Sequence, residues 1–140
     1  MRISTKVRYG LKAIAYIAEN SKDGQFVRIK EISEVQDTSS QYLEQILFKL
    51  KNEGIIEGKR GPYGGYKMIK IPQDITLYEI YKILDDEGRV INCNEGEVKG
   101  ANCKDDTCND NCIWSKMDTA IKKILEETTL EDFIRNREII

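Results

Sequence analysis

The stretch that decides the fold runs from residue 38 to residue 68 and reads TSSQYLEQILFKLKNEGIIEGKRGPYGGYKM. Its first half has apolar residues at steps of three and four, which predicts a helix with one buried face. Thr38 and Gln41 have the spacing of a capping box at the start of this helix, and Asn52-Glu53-Gly54 predicts its end. The residues of the buried face are Leu43, Ile46, Leu47 and Leu50.

The second half of the stretch predicts a β-hairpin. Two β-prone runs, residues 55–57 and 66–68, flank the segment GKRGPYGG at residues 58–65. The glycines and the proline of that segment suit a projecting loop. A helix followed by a basic, glycine-rich hairpin is typical of a winged helix-turn-helix, in which the helix enters the major groove of DNA and the hairpin forms the wing.

The residues before this stretch predict the two helices that such a domain needs. Apolar residues recur at steps of three and four from Thr5 to Glu19, so we expect a first amphipathic helix there. A short second helix is expected to end near Asp37. Its apolar positions are Val27, Ile29, Ile32 and Val35.

The residues after the hairpin predict three more helices. Pro72 and Asp74 are expected to open a fourth short helix. Residues 113–127 carry apolar residues at helical spacing and predict a long amphipathic helix. Thr128 and Glu131 offer a capping box for a last short helix. The fold class is therefore mainly α with a small β-hairpin wing.

Composition excludes several classes of function. The 140 residues are 40% hydrophobic and 33% charged, and no apolar run approaches the roughly 20 residues of a membrane span. We therefore expect a soluble protein with no membrane partner, and because the N-terminus lacks the pattern of a signal peptide, a cytoplasmic one. The chain has no histidine, which excludes serine-histidine triads and HExxH zinc sites. We do not expect an enzyme.

Charge is divided unevenly between the two halves of the chain. Residues 1–70 hold 13 Lys and Arg against 8 Asp and Glu, whereas residues 71–140 hold 9 against 16. The first half, with a net charge of +5, can face a polyanion such as double-stranded DNA, whereas the second half, at −7, cannot. The same imbalance also arises from solvated helix faces, so it supports DNA binding without deciding it.

Three groups of side chains are candidate DNA contacts. Those at the start of the third helix suit base edges, although the first of them also suit a helix cap: Ser39, Ser40, Gln41 and Glu44. Those on the wing suit a narrow minor groove and the adjoining backbone: Lys59, Arg60 and Tyr63. The others are candidate phosphate ligands or simply solvated surface: Arg2, Lys6, Arg8, Tyr9, Arg28, Lys30, Lys49 and Lys51.

These motifs closely resemble the Rrf-type winged-helix regulators, a family that includes IscR, NsrR and CymR. The resemblance is carried by residues 2–9, 39–45, 51–56 and 60–66 and extends over nearly the whole chain. It implies a homodimer formed through the long C-terminal helix. It also implies that Glu44 reads bases and that Arg60 enters the minor groove.

Four cysteines lie together in a long segment of low apolar content. Cys93, Cys103, Cys108 and Cys112 are crowded into 20 residues, a pattern that in a reducing cytosol indicates metal ligands or redox-active thiols rather than structural disulfides. Four thiolates are the usual ligands of an iron-sulfur cluster. The spacing suits a zinc site less well, because only Cys108 and Cys112 form a close pair. Thiol redox switching and inert cysteines are the remaining alternatives.

Within the family, the cysteine segment is most similar to IscR-like members. Cys108 falls at the position of their third cysteine, and Trp114 matches a tryptophan in their long helix. Asn111 stands where those members have a histidine ligand, and Cys112 follows it. The resemblance therefore implies a [2Fe-2S] cluster held by four thiolates, and a [4Fe-4S] cluster fits the same ligands.

A CymR-like regulator of cysteine metabolism, without a cluster, is the main alternative function. Its partner would be cysteine synthase, because the chain ends in Ile140 and cysteine synthases accept such a C-terminal isoleucine in similar systems. A redox enzyme is disfavoured because the chain has no C-x-x-C pair. A bare iron-sulfur carrier would leave the wing unexplained.

Together these interpretations divide the chain into four parts. Residues 1–72 form the winged helix-turn-helix domain, and residues 73–92 contain a connecting helix. Residues 93–112 form the cysteine-containing sensing loop. Residues 113–140 contain the dimerisation helix and the C-terminal tail.

Overall fold

The computed structural model describes residues 4–85 and 113–137. These residues form six α-helices, one short 3-10 turn and a two-stranded antiparallel hairpin. The bounds of the helices are α1 Thr5–Asn20, α2 Ile29–Gln36, α3 Ser40–Asn52, α4 Leu77–Leu84, α5 Ile113–Glu127 and α6 Leu130–Arg137. The strands are β1 Ile56–Lys59 and β2 Gly65–Met68, and the 3-10 turn is Pro72–Asp74. The expected fold class is confirmed.

The core lies where α1, α3 and α4 meet. All four apolar residues predicted for the buried face of α3 are buried: Leu43, Ile46, Leu47 and Leu50. They pack with Ile14 and Ile17 of α1 and with Ile80 and Leu84 of α4 in one cluster. Gly10 lets α1 approach closely, because a Cβ atom there would collide with the side chain of Leu84 and crowd that of Ile46. The core therefore holds α3 by its inner face and leaves the outer face free.

A tight turn joins α2 to α3. Asp37 ends α2 in a left-handed conformation with φ of 50°, and the Thr38 amide donates to the carbonyl of Ser33. Ser39 is the N-cap of α3, and its Oγ accepts a hydrogen bond from the amide of Tyr42 at 3.2 Å. The prediction that Thr38 opens the helix was wrong by one residue, because the turn places Ser39 over the free amides.

Two apolar residues predicted for the buried face of the second helix do not lie there. Val27 precedes α2 and forms a β-bridge to Tyr66, and it is buried there rather than on a helix. Val35 is 64% exposed, because the core reaches only Ile29 and Ile32 of this helix. The first correction reflects a contact between residues distant in sequence, and the second reflects which side of α2 the core covers.

The hairpin begins one residue later than predicted. Ile56 pairs with Met68 and Lys59 pairs with Gly65 in an antiparallel register. Ile55 lies outside the strand, but its carbonyl accepts a hydrogen bond from the amide of Ile69 at 2.9 Å. The wing therefore starts from a buried base, since Ile55 and Ile56 are both buried.

The helix starts in the second half of the chain also differ from the predictions. Pro72 and Asp74 form the 3-10 turn, and α4 begins only after Thr76, whose Oγ1 accepts from the amide of Glu79. The capping box before α6 is formed by Thr129 and Asp132, one residue beyond the predicted pair. Both shifts follow from a β-bridge between Thr76 and Thr129, which holds these two residues extended.

The junction between α5 and α6 is attached to the core. The amide of Leu77 donates to the carbonyl of Thr128 at 2.9 Å, and the amide of Leu130 donates to the carbonyl of Ile75 at 2.8 Å. The Leu130 side chain is completely buried in the core cluster. The C-terminal end of α5 is therefore held against α4, and no helix in the described ranges is long and apolar enough to cross a bilayer.

Candidate nucleic-acid interface

The outer face of α3 is a shallow groove of mostly polar side chains. Gln41 and Glu44 are exposed there, and Ser40 beside them is half-buried. The residues that line the groove are Gln41, Glu44, Gln45, Phe48, Lys49 and Asn52. Amide and carboxylate groups on an exposed helix face can exchange hydrogen bonds with base edges. The Oγ atom of Ser39 already accepts the hydrogen bond that caps α3, so this candidate base contact also has a structural role.

The tip of the wing is a tight turn with exposed side chains. The amide of Gly64 donates to the carbonyl of Gly61 at 2.9 Å, with Pro62 and Tyr63 between them. Tyr63 is 82% exposed, and Arg60, at the base of the turn, is exposed as well. An arginine on such a narrow projection can reach into a groove that a helix cannot enter.

Tyr66 joins the wing to the rest of the domain. Its amide and carbonyl exchange hydrogen bonds with Val27, at 2.8 and 2.7 Å. Burial, and then the negative charge of Glu44, raise the pKa of the Tyr66 phenol above its ordinary value. The carboxylate of Glu44 on α3 is therefore within electrostatic reach of β2. α3 also packs against β1, so this helix and the wing form one connected unit.

Phe26 supports the wing from beneath. The Nζ atoms of Lys67 and Lys59 lie 4.9 and 5.7 Å from the centre of its ring, which are cation-π distances. Lys67 also forms a 2.8 Å ion pair with Glu57, its partner across the hairpin. Lys59, predicted as a DNA contact, is exposed and therefore presents its charge beside the wing tip while resting on Phe26.

The start of α1 lies against the start of α3. The rings of Tyr9 and Tyr42 meet edge to face with centroids 5.8 Å apart. Partial burial raises the pKa of the Tyr42 phenol above its ordinary value, and electrostatic interaction with Tyr9 raises it further. Lys6 and Arg8, on the first turns of α1, are exposed. This contact therefore brings two of the predicted phosphate ligands to the same end of the domain as the exposed start of α3.

The remaining predicted residues are distributed over the surface or lie outside the described ranges. Arg28 is exposed directly before α2, and Lys49 is half-buried at the edge of the α3 groove. Arg2 and all four cysteines, Cys93, Cys103, Cys108 and Cys112, lie outside the described residues. Within residues 4–85 and 113–137, no cluster of three or more cysteine or carboxylate side chains could hold a metal ion.

The arrangement is that of a winged helix-turn-helix, and comparison with known proteins agrees with it. Residues 3–136 match the Rrf2 family, described as "Iron-dependent Transcriptional regulator". This chain belongs to the Rrf2 family. Its relatives are transcriptional regulators, so this family member is a regulator of transcription and not an enzyme.

Two kinds of Rrf2 regulator are similar to the chain to nearly the same degree. The transcriptional regulator IscR of Cereibacter sphaeroides is 32% identical over 137 residues, which are 97% of this chain and 88% of IscR. CymR of Bacillus subtilis is 33% identical over 132 residues, which are 94% of this chain and 88% of CymR. The solved structure of B. subtilis CymR superposes with a TM-score of 0.74 at 30% identity, covering 96% of this chain and 97% of CymR.

Three residues of this Rrf2 surface were not predicted from sequence. Phe26 and Tyr66 act through contacts between residues far apart in the chain, which no local pattern reveals. Phe48 had a visible signal, because it is an aromatic residue on the polar side of the α3 pattern, four residues after Glu44.

Proposed function

We propose that this Rrf2 regulator is a homodimer that binds specific DNA sequences and senses iron-sulfur or redox status through its four cysteines. One observation carries the DNA-binding part. The exposed face of α3, with Gln41 and Glu44, belongs to a helix that packs against β1 of the wing, and the exposed tip of this wing carries Arg60. A duplex offers a major groove to the first surface and the adjacent minor groove to the second.

Each group of side chains has a separate task in this proposal. Ser40, Gln41 and Glu44 read base edges, and Ser39 both caps α3 and donates its hydroxyl to the DNA. Arg60 enters the minor groove, with Tyr63 and Lys59 beside it. The phosphate ligands, which set position without reading sequence, are Arg2, Lys6, Arg8, Tyr9, Arg28 and Lys49.

The exposed apolar face of α5 supports a homodimer. Ile113 and Ile124 are 60% and 62% exposed, and Met117 and Ala120 lie between them at steps of four, three and four residues. Such spacing forms one stripe on a helix and is typical of a helix-helix seam. A second copy of α5 would cover it. Two copies then present two α3 helices to half-sites about one turn of the duplex apart.

The cysteine segment is the proposed sensor. Cys93, Cys103, Cys108 and Cys112 supply four thiolates and the chain has no histidine, so the donor set fits an iron-sulfur cluster, a [2Fe-2S] cluster first and a [4Fe-4S] cluster second. Such a cluster supplies a centre that responds to iron supply and to oxidants. Cys112 directly precedes α5 in the sequence. Cluster binding by the cysteine segment would therefore affect the start of α5, the helix that we propose forms the dimer.

DNA binding is tested by selecting sites from a random duplex library with the purified full-length protein. We expect one enriched motif with two half-sites. Glu44→Ala should bind a less specific motif, and Arg60→Ala should bind the motif with lower affinity. Lys22→Ala, in an exposed turn, is the matched control and should change neither. The logarithm of affinity should fall with the logarithm of salt concentration by roughly 0.9 for each phosphate contact. A library that shows no enrichment refutes the proposal.

The sensor is tested on protein purified without oxygen. We expect bound iron and sulfide and absorption between about 320 and 450 nm. Replacement of all four cysteines by serine should abolish both the absorption and the response of DNA affinity to oxidants. Protein that contains neither iron nor sulfide, with DNA binding unchanged in the serine variant, contradicts the sensor.

A regulator of cysteine metabolism is the second candidate, because the chain is nearly as similar in sequence to CymR as to IscR. The solved B. subtilis relative is described as the global cysteine regulator of that organism. In this case cysteine synthase is the partner, and a pull-down with that enzyme retains the protein, which is colourless. Under either candidate the protein acts on chromosomal DNA, and we place it in the cytoplasm.

A further inference from the structure

Phe48 is an exposed aromatic residue in the middle of a polar groove. Its side chain is 60% exposed, although α3 buries four other apolar residues completely or nearly so. It lines the same groove as Gln41 and Glu44. Phe48 differs from the other exposed apolar residues in its neighbours, because it lies among side chains suited to base edges and can contact an apolar group of the same DNA groove.

The helix geometry places Phe48 on the surface that faces the bases. Positions 41, 44 and 48 are separated by three and four residues and therefore share one side of α3. Phe48 lies about 6 Å further along the axis than Glu44, which is close to two base-pair steps. Side chains on a helix lean toward its N-terminus, so the ring extends back over the turn that carries Glu44.

We propose that Phe48 is a specificity-determining residue that contacts the C5-methyl group of a thymine in the major groove. The inference rests on the proposed DNA-binding function. Thymine is the base that presents an apolar group there, and phenylalanine is one of the side chains that suit it. A protein partner would need several apolar anchors together, whereas the other residues of the groove are Gln41, Glu44, Gln45, Lys49 and Asn52.

The test compares wild type, Phe48→Ala and a matched control, Val35→Ala, in the random-library selection. Val35 is a similarly exposed apolar residue, but it lies on α2. We expect wild type and Val35→Ala to enrich a thymine at one position of each half-site, and Phe48→Ala to lose that preference. Thermal unfolding should be unchanged in Phe48→Ala, because alanine favours helix and the lost side chain was exposed.

A second measurement isolates the methyl group. Deoxyuridine replaces that thymine in the selected duplex and removes the C5-methyl group alone. Affinity of the wild type should fall roughly fourfold per half-site, the factor expected for one methyl group returned to water. Phe48→Ala should bind the two duplexes equally.

The outcomes separate the two proposals. If the wild type enriches no motif, the proposed function fails and this assignment fails with it. If a motif is enriched but deoxyuridine has no effect on the wild type, only the role of Phe48 is overturned. The same holds if Phe48→Ala and the wild type respond to deoxyuridine equally.

Discussion

The shape of the wing depends on residues that leave no room for a side chain. A Cβ atom on Gly64 would collide with the backbone carbonyl of Lys59, and one on Gly65 would collide with the carbonyl of Val27. Gly65 also has a φ of 150°, which side chains rarely adopt. These contacts are with backbone, so no rotation of a side chain relieves them. Gly64 therefore allows the hairpin loop to close, and Gly65 allows the hairpin to lie against Val27.

Gly64→Ala should weaken DNA binding while the rest of the fold stays intact. The added methyl group forces the backbone of the 60–64 loop to move, and the loop carries the proposed minor-groove arginine. We expect at least a tenfold loss of affinity in fluorescence anisotropy, with a thermal unfolding curve close to that of the wild type. Gly24→Ala is the control, because it strains a turn with φ of 76° that lies outside the wing, where the new Cβ atom meets no other group, so DNA affinity should be unchanged. Equal loss in both variants would contradict a local effect on the wing.

Asp132 should titrate at a lower pH than an ordinary aspartate. The amide and the hydroxyl of Thr129 lower the pKa of its carboxyl below the usual 3.8, the amide more strongly. Thr129→Val keeps the amide and should return the pKa, measured by NMR titration, part of the way to 3.8. Thr128→Val is the matched control, because the Thr128 hydroxyl donates to the carbonyl of Ile124 instead. An equal shift in both variants would contradict the capping box.

The lowered pKa of Asp132 also makes the stability of the fold depend on pH. A carboxyl that is more acidic in the folded state stabilises the fold above the pKa of the unfolded chain. That contribution is lost as pH falls from about 3.8 through the folded-state value. The difference in unfolding temperature between wild type and Asp132→Ala should therefore shrink over that range.

At the scale of elements, α5 and α6 are joined to the DNA-binding unit by their shared junction. The bridge between Thr76 and Thr129 links this junction to the start of α4, and Leu130 fills a place in the core beside residues of α1 and α4. A change in the orientation of α5 can therefore act through α4, which packs on both α1 and α3. This is a physical route from the C-terminal helix to the groove of α3.

Leu130→Ala should destabilise the whole domain. The side chain is fully buried, and removal of a buried leucine leaves a cavity that costs about 2–5 kcal/mol. Ile69→Ala is the control, because that apolar side chain is 55% exposed and its loss should cost less than about 0.5 kcal/mol. Chemical unfolding at one fixed protein concentration measures both. Similar values for the two variants would show that Leu130 does not anchor the junction.

At the scale of the whole molecule, the described fold has one apolar helix face that its own core does not cover. The inner side of α5, with Ile121 and Leu125, packs against the core, whereas Ile113 and Ile124 point away from it. The proposed DNA surface lies in the positive first half of the chain, and the proposed dimer surface lies in the negative second half. Dimerisation would set the distance between two α3 helices.

Ile124→Glu should convert the proposed dimer to a monomer. A carboxylate in an apolar seam between two helices loses its hydration without gaining a partner, which disfavours association. Analytical ultracentrifugation should show half the mass, and affinity for a two-half-site duplex should fall at least a hundredfold. Glu126→Gln, on the opposite and exposed side of α5, is the control. A dimeric Ile124→Glu protein would place the interface elsewhere.

The sequence by itself determined the local elements of this protein. The steps of three and four residues predicted α1, α3 and α5, and the four buried residues of α3 were predicted without error. The glycines and proline of residues 58–65 predicted the hairpin. These features were predictable because periodicity and turn chemistry depend on neighbours along the chain.

Only the tertiary structure decided which residues meet across the chain. It paired Val27 with Tyr66, placed Phe26 beside the lysines of the wing, and buried Leu130 in a core formed by residues distant from it in sequence. It also decided that Phe48 and Ile124 remain exposed although both are large and apolar. Hydrophobicity favours burial of each such residue, but the face that is covered depends on which elements pack there, and sequence spacing does not contain that information.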